Sequence, residues 1–354
     1  MKALVYRGPG QIRVEEVPPP ELRDPEDAIV RVTTTAICGS DLHVLHGIMP
    51  KMAPGTTVGH EFTGIVESVG DRVEGIRPGD RVLGPAAVWC GHCVACRNGL
   101  PSACLESATF GCGPLFGDLP GAQAEFVRVP FAGTTLQRIP ESLSEEQALF
   151  AGDILLTAYT AVEGITPGGP GVRAGDTVAI FGAGPVGLCA VAAARLFGPA
   201  RIVAVDLEDY RLEAATRLGA QCVVNAARTD PVKTLRELTA GWGANFVIEA
   251  VGRPETLLTA LRAVGAGGTV SVVGVFDKPV EIPVPRLLNR SVSLKLGLGH
   301  LGHMEKLLRL IEAGSLDLTS LITHRLPLSE GPRGYEIFEK KLDGALKVLL
   351  KPGD

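Results

Sequence analysis

Cys90, Cys93, Cys96 and Cys104 follow one another at gaps of two, two and seven residues. Four thiolates at such short spacing are how a chain surrounds one tetrahedral zinc ion. This window holds four of the chain's 8 cysteines, together with Gly91, Gly99 and Pro101. It therefore reads as a loop whose shape a central ion would set. Two other chemistries use clustered cysteines. A disulfide pair does not suit a chain of this length whose start lacks the apolar stretch of a secretory signal. An iron–sulfur cluster is the closer rival, but the ferredoxin run closes with a cysteine after three residues and then proline. The gap of seven favours zinc.

A second set of metal-ligand types is dispersed. Cys38-Gly-Ser40-Asp41-Leu-His43 ends an apolar run, and Gly59-His60-Glu61 comes later in the same stretch of short strands. Cys and His are both zinc ligands, and two on neighbouring loops could share an ion. Taken alone, a single Cys and a single His are more often packing residues than ligands.

A third motif binds phosphate by its backbone. The run Val178-Ala-Ile-Phe181 leads into Gly182-Ala-Gly184-Pro185-Val186-Gly187 and then into a helical pattern, and Asp206 closes the next apolar run 19 residues after Gly187. Strand before, helix after and an acidic residue about twenty positions on is the context of a dinucleotide site. Gly182 and Gly184 would let the backbone turn and approach a pyrophosphate, Gly187 would let the helix pack on the sheet, and the helix N-terminus would face the phosphates. Asp206 would bond the adenosine ribose and repel a 2′-phosphate, which favours NAD over NADP.

Two kinds of element must position these residues. The first ~150 residues read as short strands broken by glycine and proline, with runs at 28–37, 63–69, 81–83 and 124–129. From about residue 175, continuous apolar runs at 177–181, 201–205, 222–224, 245–248 and 269–275 alternate with helical patterns at 185–197, 210–218, 230–239 and 255–264. Apolar runs without alternation between helices predict a parallel sheet buried on both faces. Two further helices are expected at 303–313 and 334–341. The fold class is therefore an α/β doubly wound Rossmann domain beside a mainly-β domain. A length of 354 residues suits two domains, and the net charge of -5 with no basic block argues against nucleic acid and anionic membranes as partners. No apolar run is long enough for a membrane span. Metal-spaced cysteines in such a chain point to a reducing cytoplasm.

Gly59-His60-Glu61-x2-Gly64-x5-Gly70-x2-Val73 matches the signature of the zinc-containing alcohol dehydrogenases. With the cysteine quartet, the Cys-x-Ser-x-x-His stretch and the nucleotide motif in the same order, the chain resembles the zinc-dependent medium-chain dehydrogenase/reductase family over essentially its whole length. The resemblance implies a GroES-like catalytic domain at 1–154 and 298–354, with a structural-zinc lobe about 88–106, and a Rossmann NAD-binding domain at 155–297. It implies two zinc ions per chain. The quartet would hold the structural one, which settles the contest with iron–sulfur. Cys38 and His60 would bind the catalytic one, with Glu61 beside it as an occasional extra ligand. For the third ligand this chain has Asp153, in Ala151-Gly152-Asp153-Ile154, where many members have cysteine; Cys112 is the rival.

By the same resemblance Ser40 takes the alcohol proton and passes it toward His43, whose ordinary pKa suits a shuttle. Asp41 either orients His60 through its other ring nitrogen or caps its own loop. Arg211 would edge the adenosine, Gly274 and Val275 would present backbone to the carboxamide, and Lys347 would meet the pyrophosphate. His92 lies inside the quartet, but four thiolates already complete a tetrahedron. The implied activity is NAD-dependent, zinc-dependent interconversion of an alcohol with an aldehyde or ketone. The alternatives are a polyol or threonine dehydrogenase on the same scaffold, and a non-catalytic NAD-binding protein. The implied assembly is a homotetramer, with a dimer as alternative.

Overall fold

Strand-forming segments in the first part of the chain are short because glycine and proline interrupt them, and they collect into one antiparallel unit. The computed structural model describes residues 1–353 and divides into two compact units, Met1–Asp153 with Leu301–Asp354, and Ile154–His300. The sequence expectation put these changes of unit after residues 154 and 297.

In the first unit a 7-stranded sheet runs in the order Ile322–Pro327, Lys347–Lys351, Ala28–Ile37, Phe62–Val69, Arg81–Gly84 and Gln137–Arg138, with Phe126–Val129 also paired to Ala28–Ile37. The C-terminal strand lies antiparallel on the end of the strand that leads to Cys38, with Val348 opposite Ile37. One core packs Val30, Val32, Phe62, Val66, Val82 and Phe110. Phe62 and Phe110 meet edge to face with ring centroids 5.3 Å apart, a geometry that adds about 0.5–1.5 kcal/mol to their burial. Gly84 lacks a side chain because the Phe62 ring occupies that space. A second core joins Leu4, Tyr6, Ile37 and Val44 to Tyr335, Phe338 and Val348, so the returning C-terminal segment completes this unit. The helix expected at 334–341 runs Gly331–Glu339, and that expected at 303–313 runs Met304–Glu312.

The second unit is a six-stranded parallel sheet in the order Cys222–Asn225, Arg201–Asp206, Thr177–Phe181, Ala244–Glu249, Val264–Val272 and Ser293–Leu296. Every residue of Thr177–Phe181 is buried, as a central strand covered on both faces must be. The order reverses between Thr177–Phe181 and Ala244–Glu249. The carboxyl end of Thr177–Phe181 is therefore a topological switch point, where open α/β sheets bind ligands. Apolar runs alone do not single out the edge strand Ser293–Leu296 or the helix Ile154–Glu163, whose sequence is apolar nearly all round.

Candidate functional site

The strand Ala28–Ile37 delivers Cys38 as the N-cap of the Gly39–Leu45 helix. His60 and Glu61 stand just before the strand Phe62–Val69, and Asp153 follows the short 3-10 turn Phe150–Gly152. These three segments bring four ligand atoms, from Cys38, His60, Glu61 and Asp153, within 4.8 Å of one another. Cys112 is buried nearby but is not in that set. Cys38 Sγ is 3.5 Å from Asp153 Oδ2, and His60 Nε2 is 3.4 Å from the same oxygen. A tetrahedral zinc with ordinary bond lengths requires edges of about 3.5 Å for S···O and about 3.4 Å for N···O. Both contacts of Asp153 are thus spaced as two edges of such a tetrahedron.

The electrostatics point the same way. Burial pushes the His60 imidazole down, yet Asp41, Asp153 and Cys38 outweigh it and hold it well above its ordinary value. Burial pushes the Cys38 thiol up, and Asp153 and Glu61 push it further. This anionic pocket favours a cation, and a divalent ion supplies the charge without leaving His60 protonated. Ser40 Oγ lies 3.1 Å from His60 Nε2, and His43 is half-buried one turn further along the same helix.

Asp41 takes the capping place and stands beside the other. Its Oδ2 accepts the Cys38 backbone N–H at 2.9 Å, which caps the helix, while its Oδ1 stands 3.1 Å from His60 Nδ1. The second contact is a close approach and not a hydrogen bond, and His60 Nδ1 has no hydrogen-bond partner.

Lys347 is a correction. It was expected at a pyrophosphate, but it is 1% exposed, and its ammonium bonds Glu61 Oε1 at 2.5 Å. Burial alone would lower its pKa; Glu61 first, then Cys38 and Asp153, raise it and hold it cationic. The physical reason is register: Lys347 opens a strand whose neighbour ends at Ile37, so its side chain reaches the back of the Cys38–His60 cluster. The Glu61–Lys347 pair is neutral overall and leaves the charge balance there to Cys38 and Asp153.

The quartet is local by contrast. Cys93 Sγ is 3.5 Å from Cys96 Sγ and 3.9 Å from Cys104 Sγ, which is 3.5 Å from Cys90 Sγ. An ion bound by four sulfurs at zinc distance needs edges of about 3.8 Å. Backbone N–H groups of Cys90 and Glu106 point at Cys104 Sγ, and that of Cys93 at Cys90 Sγ. Backbone N–H groups, of Cys96 first, lower Cys93 to about 6, whereas burial and its sulfur neighbours push Cys96 up to about 12. Thiols this close do not all ionise without a cation among them. His92 is exposed, with Nδ1 2.9 Å from the Cys90 carbonyl and Nε2 3.4 Å from Glu106.

In the second unit the glycine loop has the strain its motif requires. Gly182 has φ +93°, and a Cβ on Gly187 would run into the Gly182 carbonyl. Gly184 is the N-cap of Pro185–Arg195, and no side chain caps that helix start. Pro185 and Val186 are half-buried on its first turn. Asp206 Oδ2 accepts the Ala183 N–H at 2.6 Å, and Oδ1 accepts those of Leu207 and Glu208. The carboxylate is therefore pinned against the loop. Arg211 Nη1 would lie 3.8 Å from a Cβ on Gly184, so its guanidinium reaches the loop as well. The strand expected to run to 275 ends at Val272, and the Gly274 N–H donates to the Glu249 carbonyl. Gly274 packs against the Gly252 backbone, and Val275 is 41% exposed.

The alcohol dehydrogenase GroES-like domain matches residues 24–141, and the zinc-binding dehydrogenase domain matches 185–313. An alcohol dehydrogenase of Cupriavidus necator is 39% identical over 368 residues, covering 99% of each chain. The chain belongs to the zinc-dependent medium-chain dehydrogenase family. Among solved structures, an alcohol dehydrogenase of Thermus sp. ATN1 matches with a TM-score of 0.93 and 44% identity, covering 99% of each chain. A zinc-binding dehydrogenase of Sinorhizobium meliloti 1021, bound to NADP, matches with a TM-score of 0.86 and 31% identity, again covering 99% of each chain. The family makes this chain an oxidoreductase of the alcohol dehydrogenase class that uses zinc and a nicotinamide cofactor.

For this dehydrogenase, sequence reasoning missed the true partner of Lys347 and gave no role to Gln123. Gln123 is wholly buried and donates to Asp41 Oδ2 at 3.2 Å. A glutamine in an otherwise apolar, small-residue stretch, Gly121-Ala-Gln123-Ala, was the available signal. Among the described residues no helix is long and apolar enough to cross a membrane.

Proposed function

We propose that the reaction is carried out with NAD at a zinc held by Cys38, His60 and Asp153, a second zinc being held by the quartet. The observation that carries this reading is the match of the Cys38–Asp153 and His60–Asp153 spacings to two edges of a zinc tetrahedron. Three protein ligands leave the fourth position for substrate, whereas four thiolates leave none. A zinc ion at the open site supplies the Lewis acidity that lowers an alcohol's pKa toward neutrality. The residues do the rest. Cys38 and Asp153 balance a dication, so the site is neutral before substrate enters. Ser40, beside His60, accepts the substrate's hydroxyl proton at Oγ, and His43 carries it toward solvent. Asp41, 3.1 Å from the far nitrogen of His60, would orient its ring.

NAD is preferred over NADP because Asp206 is pinned beside the glycine loop as an anion, and a 2′-phosphate placed there would be repelled. Arg211 borders the same loop. Gly274 and Val275 border Gly252 at the switch point and act through backbone and shape. The free thiols fit a cytoplasmic protein, and we expect a homotetramer, checked by light scattering.

The test is an initial-rate panel of primary and secondary alcohols, polyols and threonine with NAD and with NADP, beside a zinc count per chain. Two zinc ions and a strong NAD preference are expected. One zinc per chain overturns the two-metal reading, and an NADP preference overturns the role of Asp206.

A further inference from the structure

We propose that Gln123 and Tyr335 are positioning residues for the metal-facing side of His60, acting through Asp41. The inference rests on the zinc reading above. Gln123 is 0% exposed, and its side-chain nitrogen lies 3.0 Å from the Ala36 carbonyl and 3.2 Å from Asp41 Oδ2. Both of those groups accept, so only the NH2 end of the amide satisfies them and its orientation is forced. Gln123 Oε1 then faces the Tyr335 hydroxyl at 2.8 Å and must accept from it. The chain of bonds has one direction. Tyr335 donates to Gln123, and Gln123 and the Cys38 N–H donate to Asp41 Oδ2. Oδ1 of Asp41 is left facing His60 Nδ1 at 3.1 Å, a close contact that is not aligned as a hydrogen bond. A carboxylate held this close to Nδ1 favours the proton on that nitrogen, which leaves the Nε2 lone pair on the side of Cys38 and Asp153, where an ion would bind.

Two further observations bear on the same relay. Every member is buried, with Tyr335 2%, Asp41 1% and His60 3% exposed, and in such surroundings a satisfied network is stiff while a broken one is costly. Gly59, just before His60, has φ +91°, and a Cβ there would run into the Gln123 side chain. The glycine of the Gly-His-Glu motif thus leaves room for Gln123 to pass. Tyr335 lies on the Gly331–Glu339 helix, 212 residues from Gln123 in sequence, so the C-terminal return of this unit reaches the metal ligand through two side chains.

The experiment follows zinc release from the fully loaded protein into a chromophoric chelator. Asp153→Asn assigns the phase of the Cys38–His60 site, and the quartet's phase in the same chain serves as control. Gln123→Met is expected to speed release from the Cys38–His60 site by roughly 10–100-fold and to leave the quartet phase unchanged. Tyr335→Phe, nearly isosteric and one bond further away, should give a smaller change of the same kind, and it decides the matter if Gln123→Met does not fold. With cobalt in the site, both variants should shift the visible bands. Release unchanged in both variants, or both phases accelerating together, overturns the relay while the two-zinc reading stands. A wild-type chain holding one zinc overturns that reading and the relay with it.

Discussion

The two cysteine-bearing clusters of the first unit are built by opposite means. The quartet draws all its sulfur atoms from one short segment, with two of the four cysteines partly exposed, and is shaped by backbone N–H groups and sulfur alone. The Cys38–His60–Asp153 cluster draws on segments up to 115 residues apart, with mixed S, N and O donors in a buried pocket. Carboxylates and an ammonium from other elements surround it. The contrast teaches that a saturated site needs only spacing. A reactive site needs an open position, and that position exists only if the surrounding fold holds three ligands apart and keeps a fourth donor, Glu61, engaged elsewhere.

The comparison breaks most sharply at Asp153. Asp153→Asn should lower the zinc count from two to one and reduce kcat/KM by about a thousandfold or more, since several kcal/mol of charge stabilisation are lost. Metal analysis beside initial rates checks this, and retained stoichiometry would sink the assignment of Asp153. Cys104→Ser should also remove one zinc, but its effect should appear in stability. Structural zinc contributes several kcal/mol of folding free energy, so the melting temperature should fall by several degrees while turnover per folded molecule changes little. If turnover falls as far as in Asp153→Asn, the division of labour between the clusters is wrong.

Asp41→Asn should lower metal retention or activity by about 10–100-fold at the open site alone, read by zinc release from each phase. The smallest effect is in acid. Cys96 sits at about 12 without metal, pushed up by burial and then by Cys93 and Cys104, so a proton leaves it when zinc binds. The sign follows: zinc retention by the quartet should rise with pH and fall on acidification, by about tenfold per unit for each proton displaced. Chelator competition at two pH values measures it, and a pH-independent affinity would contradict thiol ligation.

Much of this was legible beforehand for physical reasons. Continuous apolar runs between helical periods marked the buried parallel strands, because burial on both faces removes alternation; Thr177–Phe181 and Arg201–Asp206 lie where expected. The glycine loop was legible because backbone approach to phosphate admits few other residues. The edge strand Ser293–Leu296 was not, because a partly exposed edge carries no strong pattern. Lys347 was misread because a lone lysine in an apolar run gives no sign of its partner 286 residues away.

Which atoms are available for chemistry was already written along the chain, since thiolate spacing, a Gly-x-Gly turn and a strand-end carboxylate act through local geometry. Tertiary structure alone decided that Asp153 rather than Cys112 joins Cys38 and His60, that Lys347 neutralises Glu61, and that Asp41, Gln123 and Tyr335 stand in one line behind His60. Those contacts span tens to hundreds of residues, and a pairing made by folding leaves no periodicity in the chain that makes it.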